Sequence, residues 1–436
     1  MNMNKNKNLA LCIALLMIPI MARAETPAVA GPLSLDDAVQ TALKYSPMIQ
    51  SSAYQASAAQ ARVGMAQAMT RPQLSVTGIA GKSQMGDILA SPPNVMPQGL
   101  TTFPGQSATT GQVMLMAPIY TGGRLSAAVK GAKALSSAAG SDRAAVERNV
   151  SMEAKMAYHR ALLADAFVGV YENLVKEEHE RVRIAQAAFD EGKIAKFDLL
   201  RNQADLANAQ QQLENAKRDA QVAMVDLKTI LGIGQGSEVT LSDKLEYAAV
   251  ADTLDAFLKR AEARPELASA QAKVNSAEAG IDAAKGLYKP QVYVNAMQGV
   301  TAASGDSESG YTLGVSVGLN LVDGGLRKSG VKEAESMLNA MRSEEQQTRL
   351  AVEQDVRTAW AEVEAAGRNV TLSRAAVTQA EEDYRVVKLR YESGKTINVE
   401  VLDALFSLVR AQTNELSALY DHNIARDRLA RAIGEI

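Results

Sequence analysis

Several residue types that define common protein classes are scarce in this 436-residue sequence. It contains one cysteine, so no disulfide can form within the chain. Aromatic residues make up 4% of it, too few to fill a thick globular core. Beyond the N-terminus, no apolar run is long enough to span a bilayer as a helix. These absences exclude a disulfide-stabilised domain and a helical integral membrane protein.

Proline is missing from two long stretches, residues 119–264 and 291–436. Because proline interrupts helices, its absence allows very long ones. Alanine, the residue with the best helix propensity, is abundant throughout the chain. Acidic and basic residues nearly balance, with 46 Lys and Arg against 49 Asp and Glu, so the charge gives no indication of a nucleic-acid partner.

Residues 1–24 have the pattern of a secretory signal peptide. Lys5 and Lys7 precede an apolar segment, and Ala22-Arg23-Ala24 fits the small-x-small cleavage rule. A buried N-terminal helix is the alternative. Cleavage after Ala24 would remove Cys12, the single cysteine, and leave an exported chain without a thiol.

The rest of the sequence is an internal repeat. Arg71-Pro72-Gln73 matches Lys289-Pro290-Gln291 at an offset of 218 residues. Gly122-Gly123 matches Gly324-Gly325 at an offset of 202, so the first copy is 16 residues longer between Pro72 and Gly122. Length alone predicts about three domains, but the repeat predicts two copies of one unit instead. We assign residues 25–231 to the first repeat, 232–251 to a linker and 252–436 to the second repeat.

Each copy predicts the same order of elements. A short helix (48–71 and 266–289) is followed by two strands, a long helix (125–188 and 326–390), a glycine-containing tip and a return helix (198–230 and 399–433). The strands alternate apolar with small or polar residues, most clearly over 312–321. That alternation is typical of outer-membrane strands, although a soluble hairpin fits it equally well.

Four strands per chain have a consequence if they lie in a membrane. A membrane barrel must close, because lipid offers no partner to an unpaired strand edge. Known closed barrels begin at about eight strands. One chain therefore cannot complete such a barrel, and the pattern predicts an obligate oligomer.

The sequence resembles the TolC family of outer-membrane efflux proteins along nearly its whole mature length. The resemblance rests on the element order, the two tips, and the segments Ala117-Pro118-Ile119-Tyr120-Thr121-Gly122-Gly123-Arg124 and Leu321-Val322-Asp323-Gly324-Gly325. It implies an α+β membrane channel–tunnel with an internal two-fold repeat. In such a protein, long antiparallel helices form a coiled-coil barrel. Three chains, each contributing four strands, share a twelve-stranded outer-membrane β-barrel, and the linker joins an equatorial belt.

The same resemblance implies a passive exit duct in the cell outer membrane with a periplasmic extension. The implied partners are two further copies of the chain, a periplasmic adaptor, an inner-membrane RND or ABC transporter, and outer-membrane lipid. The resemblance does not specify the transported substrate. The alternative is a structural coiled-coil surface protein without channel activity. We expect neither an enzyme nor a cofactor or metal site: His159, His179 and His422 lack ligand spacing and are predicted on helix surfaces.

The candidate functional residues lie at the tips. Glu400 and Asp403 are three residues apart on one helix face, and by the resemblance they form an acidic ring at the aperture. Alternatively, they only complement the helix dipole. The resemblance also assigns an aperture gate network to Asp198, Tyr391, Thr396 and Lys395. At the position where the family has an arginine of this network, this sequence has Thr396. The charged link of the network is therefore missing unless the adjacent Lys395 replaces the arginine.

Two further groups are predicted at the ends of the molecule. The resemblance assigns adaptor contact to the two tips, where a plain turn is the alternative. The tip residues are Gly192, Lys193, Ile194, Ala195, Gly394, Lys395, Thr396 and Ile397. Tyr120, Tyr288 and Tyr311 flank the predicted strands and suggest aromatic girdles at the membrane interfaces.

Overall fold

The computed structural model describes residues 31–82, 107–303 and 306–435. The predicted signal peptide and most of the longer loop of the first copy lie outside these ranges. In the first copy the elements are β1 (Gly31–Leu33), α1 (Leu35–Tyr45), α2 (Pro47–Ala68), β2 (Gln73–Lys82), β3 (Ser107–Tyr120), α3 (Arg124–Asp190) and α4 (Lys196–Leu231). The second half contains β4 (Val239–Leu241), α5 (Leu254–Ala261), α6 (Pro265–Gly286), β5 (Gln291–Ala303), β6 (Asp306–Gly318), α7 (Leu326–Glu392) and α8 (Asn398–Ala432).

The two long helices have 67 residues each and are about 100 Å long. Each begins after a glycine in the left-handed region, Gly123 at φ 88° and Gly325 at φ 93°. The predicted packed face of α7 is buried at Val352, Val356 and Val363. The short helices α2 and α6 begin with Pro47 and Pro265, because proline is favoured in the first helical turn, where its missing N–H has no partner to lose.

Helix order follows the repeat. The long helix α3 packs against α2 and α6 in one half of its length and against α4 and α8 in the other. The second long helix α7 packs against α6 and α8. The helices of one chain therefore form a row, in which α2 and α4 lie at one margin and α7 at the other.

The four long strands form one antiparallel sheet in the order β2-β3-β5-β6. The two hairpins meet where β3 pairs with β5, as in the pairing of Met114 with Met297. The sequence predicted these four strands, but β6 ends at Gly318 rather than at residue 321. Tyr311 lies inside β6 opposite Gln298, whereas the sequence predicted that it flanks a strand.

Four elements were not predicted from the sequence: β1, α1, β4 and α5. Each copy in fact begins one helix earlier than expected, and Ser34 and Thr253 cap the equivalent helices α1 and α5 with their side-chain oxygens. Strand β1 pairs in parallel with β4 of the linker, which ties the start of the described chain to its middle.

Tyr158 of α3 holds this small ribbon in place. Its hydroxyl lies 2.8 Å from a carboxylate oxygen of Asp243 and 2.8 Å from the carbonyl oxygen of Leu33. The side chain is fully buried, and burial together with the Asp243 carboxylate raises the pKa of Tyr158 to about 12. Tyr158 therefore stays protonated as a hydrogen-bond donor across the physiological pH range.

The prediction that the histidines lie on helix surfaces is wrong for two of the three. His159 is buried, and its Nε2 lies 3.0 Å from the Asp427 carboxylate on α8. His422 is buried as well, with Nε2 2.9 Å from the carbonyl oxygen of Ala248. Both side chains join α-helices to other parts of the chain, which explains their burial. His179 is exposed, as expected.

Within the described ranges, the helices contain no segment that is both long and apolar enough to cross a bilayer.

Candidate functional site

The two predicted tips have the same backbone geometry. Gly192 and Gly394 adopt φ values of 73° and 69°, in the left-handed region that favours glycine. The next residue donates its N–H back into the long helix in each case, Lys193 to Ala188 and Lys395 to Arg390, both at 2.8 Å. This is the Schellman closure of a helix. The sequence match between the tips therefore reflects a shared turn that reverses the chain direction.

The tips are mostly exposed. At the first tip Gly192, Lys193 and Ala195 are exposed and Ile194 is half-buried; at the second, Gly394, Lys395 and Ile397 are exposed and Thr396 is half-buried. Lys193 is ion-paired with Glu191. Sequence reasoning missed Phe197 and Leu200, which are 68% and 52% exposed at the start of α4. Such exposed apolar side chains beside a turn are typical of a contact surface.

The predicted acidic pair lies on the surface of α8, which begins at Asn398. Glu400 and Asp403 are exposed, whereas the residues that alternate with them (Val401, Leu402, Ala404 and Leu405) are buried. The Thr396 hydroxyl donates a hydrogen bond to the Glu400 carboxylate. The structure thus brings Glu400 and Thr396 together and leaves the outward face of the first turns acidic.

The predicted gate residues lie at the two tips, Asp198 at the first and Tyr391, Lys395 and Thr396 at the second. Asp198 is half-buried in the first turn of α4, and its backbone oxygen accepts a hydrogen bond from Asn202. Tyr391 is half-buried and packs against the apolar cluster around Leu174 and Val401. Within the described chain, no hydrogen bond links the Tyr391 hydroxyl to Asp198.

A buried polar cluster lies behind the tips, and sequence reasoning missed it. It consists of Glu178, Arg181, Asn202 and Asn398. Arg181 pairs with Glu178 at 3.0 Å, donates to Asn398 at 2.7 Å and donates to Asn202 at 3.3 Å. The cluster joins α3, α4 and α8, and therefore the two repeats. Its four residues occupy three separate helices, so no local sequence pattern identifies them as partners.

Burial controls the ionisation of this cluster. Glu178 has no exposed side-chain surface, and this burial raises its pKa, an effect that the Arg181 charge opposes and nearby Asp205 reinforces. One carboxylate oxygen of Asp205 is buried without a hydrogen-bond partner. The buried Glu178 carboxylate is tolerated only while its cationic partner, Arg181, is in place.

A second link connects α3 to α7 through Glu177, the residue before Glu178. The Glu177 carboxylate accepts hydrogen bonds from the Tyr384 hydroxyl at 2.7 Å and from Lys388 at 2.8 Å. Although partial burial opposes its ionisation, these two donors lower the pKa of Glu177 below its ordinary value. Burial and the Glu177 carboxylate raise the pKa of Tyr384, so its hydroxyl remains a donor.

Among the described residues, the two margins of the chain lack contacts that the equivalent positions in its interior make. Gly122 fits against the end of α6 so tightly that an added Cβ would lie 2.3 Å from the carbonyl oxygen of Gly286. The equivalent Gly324 of the second copy has open space around it. The sheet has the same asymmetry, because β3 pairs with β5 while the outer edges of β2 and β6 have no partner strand in the described sheet.

No group of three or more His, Cys, Asp or Glu side chains is arranged to hold a metal ion in the described part of the chain.

Several solved structures have the same fold as this chain. The crystal structure of the outer membrane protein VceC from Vibrio cholerae is 18% identical and matches with a TM-score of 0.74, covering 92% of this chain and 96% of that one. The outer membrane channel CmeC of Campylobacter jejuni is 16% identical with a TM-score of 0.77, covering 92% of this chain and 85% of that one. The predicted fold class, an outer-membrane channel fold with an internal repeat, is confirmed.

The sequence itself matches the family described as "Outer membrane efflux protein" over residues 38–233 and 259–435. The chain belongs to this family. A relative, the outer membrane efflux protein BepC of Brucella suis biovar 1 (strain 1330), is 25% identical over 299 residues. That alignment covers 66% of this chain and 64% of the relative, a little under two thirds of its length. The predicted family and outer-membrane localisation are therefore confirmed.

Proposed function

We propose that this chain is one third of a passive exit duct, which conducts substrates from a periplasmic adaptor and an inner-membrane pump to the cell exterior. The observation that carries the proposal is the matched pair of open margins. The first copy offers a free β2 edge beside α2, and the second offers a free β6 edge beside α7. At each margin of the described sheet, the strand edge lacks the partner strand that β3 and β5 give each other inside the chain.

The interior joints indicate how copies would assemble. Inside one chain, β3 pairs with β5 and Gly122 fits against the end of α6. Because the sequence repeats, β6 of one chain would pair with β2 of the neighbouring chain in the same way. Gly324 would then fit against the end of α2 of that neighbouring chain. Such a head-to-tail interface closes into a ring when the rotation per copy allows it. Three copies would join twelve strands into one barrel, as the family resemblance implies.

Engineered cysteines test this assembly directly, because Cys12 is the only native cysteine and is replaced by serine in the test protein. Thr77→Cys on β2 is combined in turn with Gly314→Cys, Ser316→Cys or Gly318→Cys on β6, because the repeat makes the pairing of Met116 with Asn295 equivalent to that of Gly318 with Thr77. Oxidation of outer membranes is expected to give covalent trimers with at least one pair. Each cysteine alone serves as the control. Monomers from every pair would contradict the shared sheet.

The acidic faces support a role for the tips as the narrow end of the duct. In a three-fold ring, Glu400 and Asp403 would form two stacked acidic rings, which favour cations. Asp198, Tyr391, Thr396 and Lys395 would surround this aperture. We assign the missing charged link to Arg181, because its contact with Asn398 holds the start of α8 against α3 and α4.

The exposed tips support the adaptor as a partner. Residues 192–195 and 394–397 are turns with small residues, next to the exposed Phe197. An adaptor hairpin would contact these turns, and the pump, of the RND or ABC class, would supply the energy. Outer-membrane lipid would cover the apolar face of the sheet. The linker of residues 232–251, with β4 against β1, would form part of a belt around the helices.

A further inference from the structure

The two faces of the four-stranded sheet differ in chemistry. Paired residues across the sheet share a face, so the register defines both sides. One face is almost continuously apolar and contains Leu74, Val76, Val113, Leu115, Val292, Val294, Leu313, Val315 and Val317. In an outer-membrane strand the apolar face meets lipid and the other face lines a polar lumen. The opposite face is therefore the lumen wall, an assignment that rests on the proposed function.

Three methionines interrupt this polar wall. Met114 of β3 and Met297 of β5 are direct partners in the register, and Met116 lies two residues further along β3 on the same face. Their side chains are 36%, 41% and 39% exposed. Direct partners have Cβ atoms about 4.5–5.5 Å apart and diagonal partners about 7–8 Å apart. Since methionine has three rotatable bonds, the three thioethers can converge on one point.

The surroundings of the three methionines are polar and uncharged. Their direct partners on the same face are Gln73, Ser75, Asn295 and Thr312, and Tyr293 is a diagonal neighbour of Met116. None of these neighbours carries a charge, and each methionine keeps more than a third of its surface exposed. A hydrophobic core therefore does not account for the three methionines.

We propose that Met114, Met116 and Met297 form a binding site for a soft monovalent cation, copper(I) or silver(I), on the lumen wall. Thioethers are soft ligands that select such cations over hard ones. With no carboxylate in the group, the cation keeps its charge and is held only by sulfur donors. A contact of this kind is weak enough for release, as conduction requires. A three-fold ring would carry three such sites at one height.

Silver(I) titration of the assembled, detergent-purified protein tests the site, with silver nitrate as the probe in chloride-free buffer. The test variant is Met114→Leu combined with Met297→Leu, because leucine conserves the volume and apolarity of methionine but lacks the sulfur donor. The matched control is Met337→Leu, an exposed methionine on α7. Calorimetry reports the affinity, and the oligomer size confirms assembly of every variant.

The wild type and the control are expected to bind silver(I) alike, and the double variant about tenfold more weakly or not at all. Equal binding by all three proteins, or none by the wild type, would overturn the site. Ion conductance measured on the same preparations separates this result from the proposed function. A conducting protein that binds no silver(I) removes the site and keeps the duct, whereas a protein that does not conduct removes the duct.

Discussion

Arg181 on α3 donates a 2.7 Å hydrogen bond to the side chain of Asn398, the first residue of α8. The same guanidinium pairs with the fully buried Glu178 at 3.0 Å. One side chain therefore stabilises a buried acid and joins the two repeats behind the tips. If the tips close the aperture, this contact holds it closed.

Replacing Arg181 with alanine is expected to raise single-channel conductance, since α8 loses its link to α3. The change also leaves Glu178 unpaired, at a cost of about 3–5 kcal/mol in the free energy of unfolding. Arg183→Ala is the matched control, because Arg183 forms only an exposed ion pair with Glu180 on the same helix. Equal conductance of the two variants would show that the buried polar cluster has no part in closure.

Asp198→Ala and Tyr391→Phe are each expected to raise conductance as well. Both residues lie half-buried at the tips, and the family resemblance assigns their polar groups to a network that would hold the aperture closed in the assembled trimer. Conductance of each variant in planar bilayers is the measurement. Unchanged values in both variants would remove these residues from the gate and leave Arg181 as the remaining candidate.

Glu400→Gln combined with Asp403→Asn is expected to reduce selectivity for cations over anions, because it removes the charge of both acidic rings. Reversal potentials in a salt gradient measure this selectivity. Asp219→Asn, which removes an exposed acid further along α4, serves as the control. If the double variant keeps the reversal potential of the wild type, the two acids do no more than complement the dipole of α8.

Acid pH is expected to weaken the link between α3 and α7. The pKa of Glu177 is lowered in the folded protein, so its contribution to stability is complete above its ordinary value of 4.5 and is lost as pH falls through the lower folded value. Conductance should therefore rise below about pH 4.5. Glu177→Gln should reduce this pH dependence, and an identical pH profile in the variant would assign the response to another group.

Phe197→Ala is expected to weaken adaptor binding without changing conductance, because Phe197 is exposed beside the first tip and has little contact with the apolar core. Crosslinking in cells through Lys193 and Lys395 measures adaptor capture. Leu372→Ala, an exposed apolar residue on α7 far from the tips, is the matched control. Undiminished capture by the Phe197 variant would move the contact surface away from α4.

The sequence predicted the elements with long-range periodicity and missed those that depend on tertiary contacts. The long helices and both tips follow from proline-free stretches and glycines, whose effects are local. The helices α1 and α5 were missed, although Ser34-Leu35-Asp36 and Thr253-Leu254-Asp255 repeat the same capping sequence. That match was available in the sequence and would have extended each copy by one helix.

Other features were beyond sequence reasoning. His159 contacts Asp427, and His422 contacts Ala248. Both histidines are buried because of these contacts with residues that are distant in the sequence. The buried polar cluster likewise joins side chains from three helices. For the candidate site, spacing and the family resemblance indicated the acids of α8, but only packing shows that Arg181 connects Asn398, the first residue of α8, to the first repeat.

Single-channel recording of the purified, assembled protein in a planar lipid bilayer shows whether the chain forms a conducting channel. We expect discrete, cation-selective current steps that increase when Arg181 is replaced with alanine. A correctly assembled trimer that inserts into the bilayer and carries no current, with or without the Arg181 substitution, would contradict this expectation.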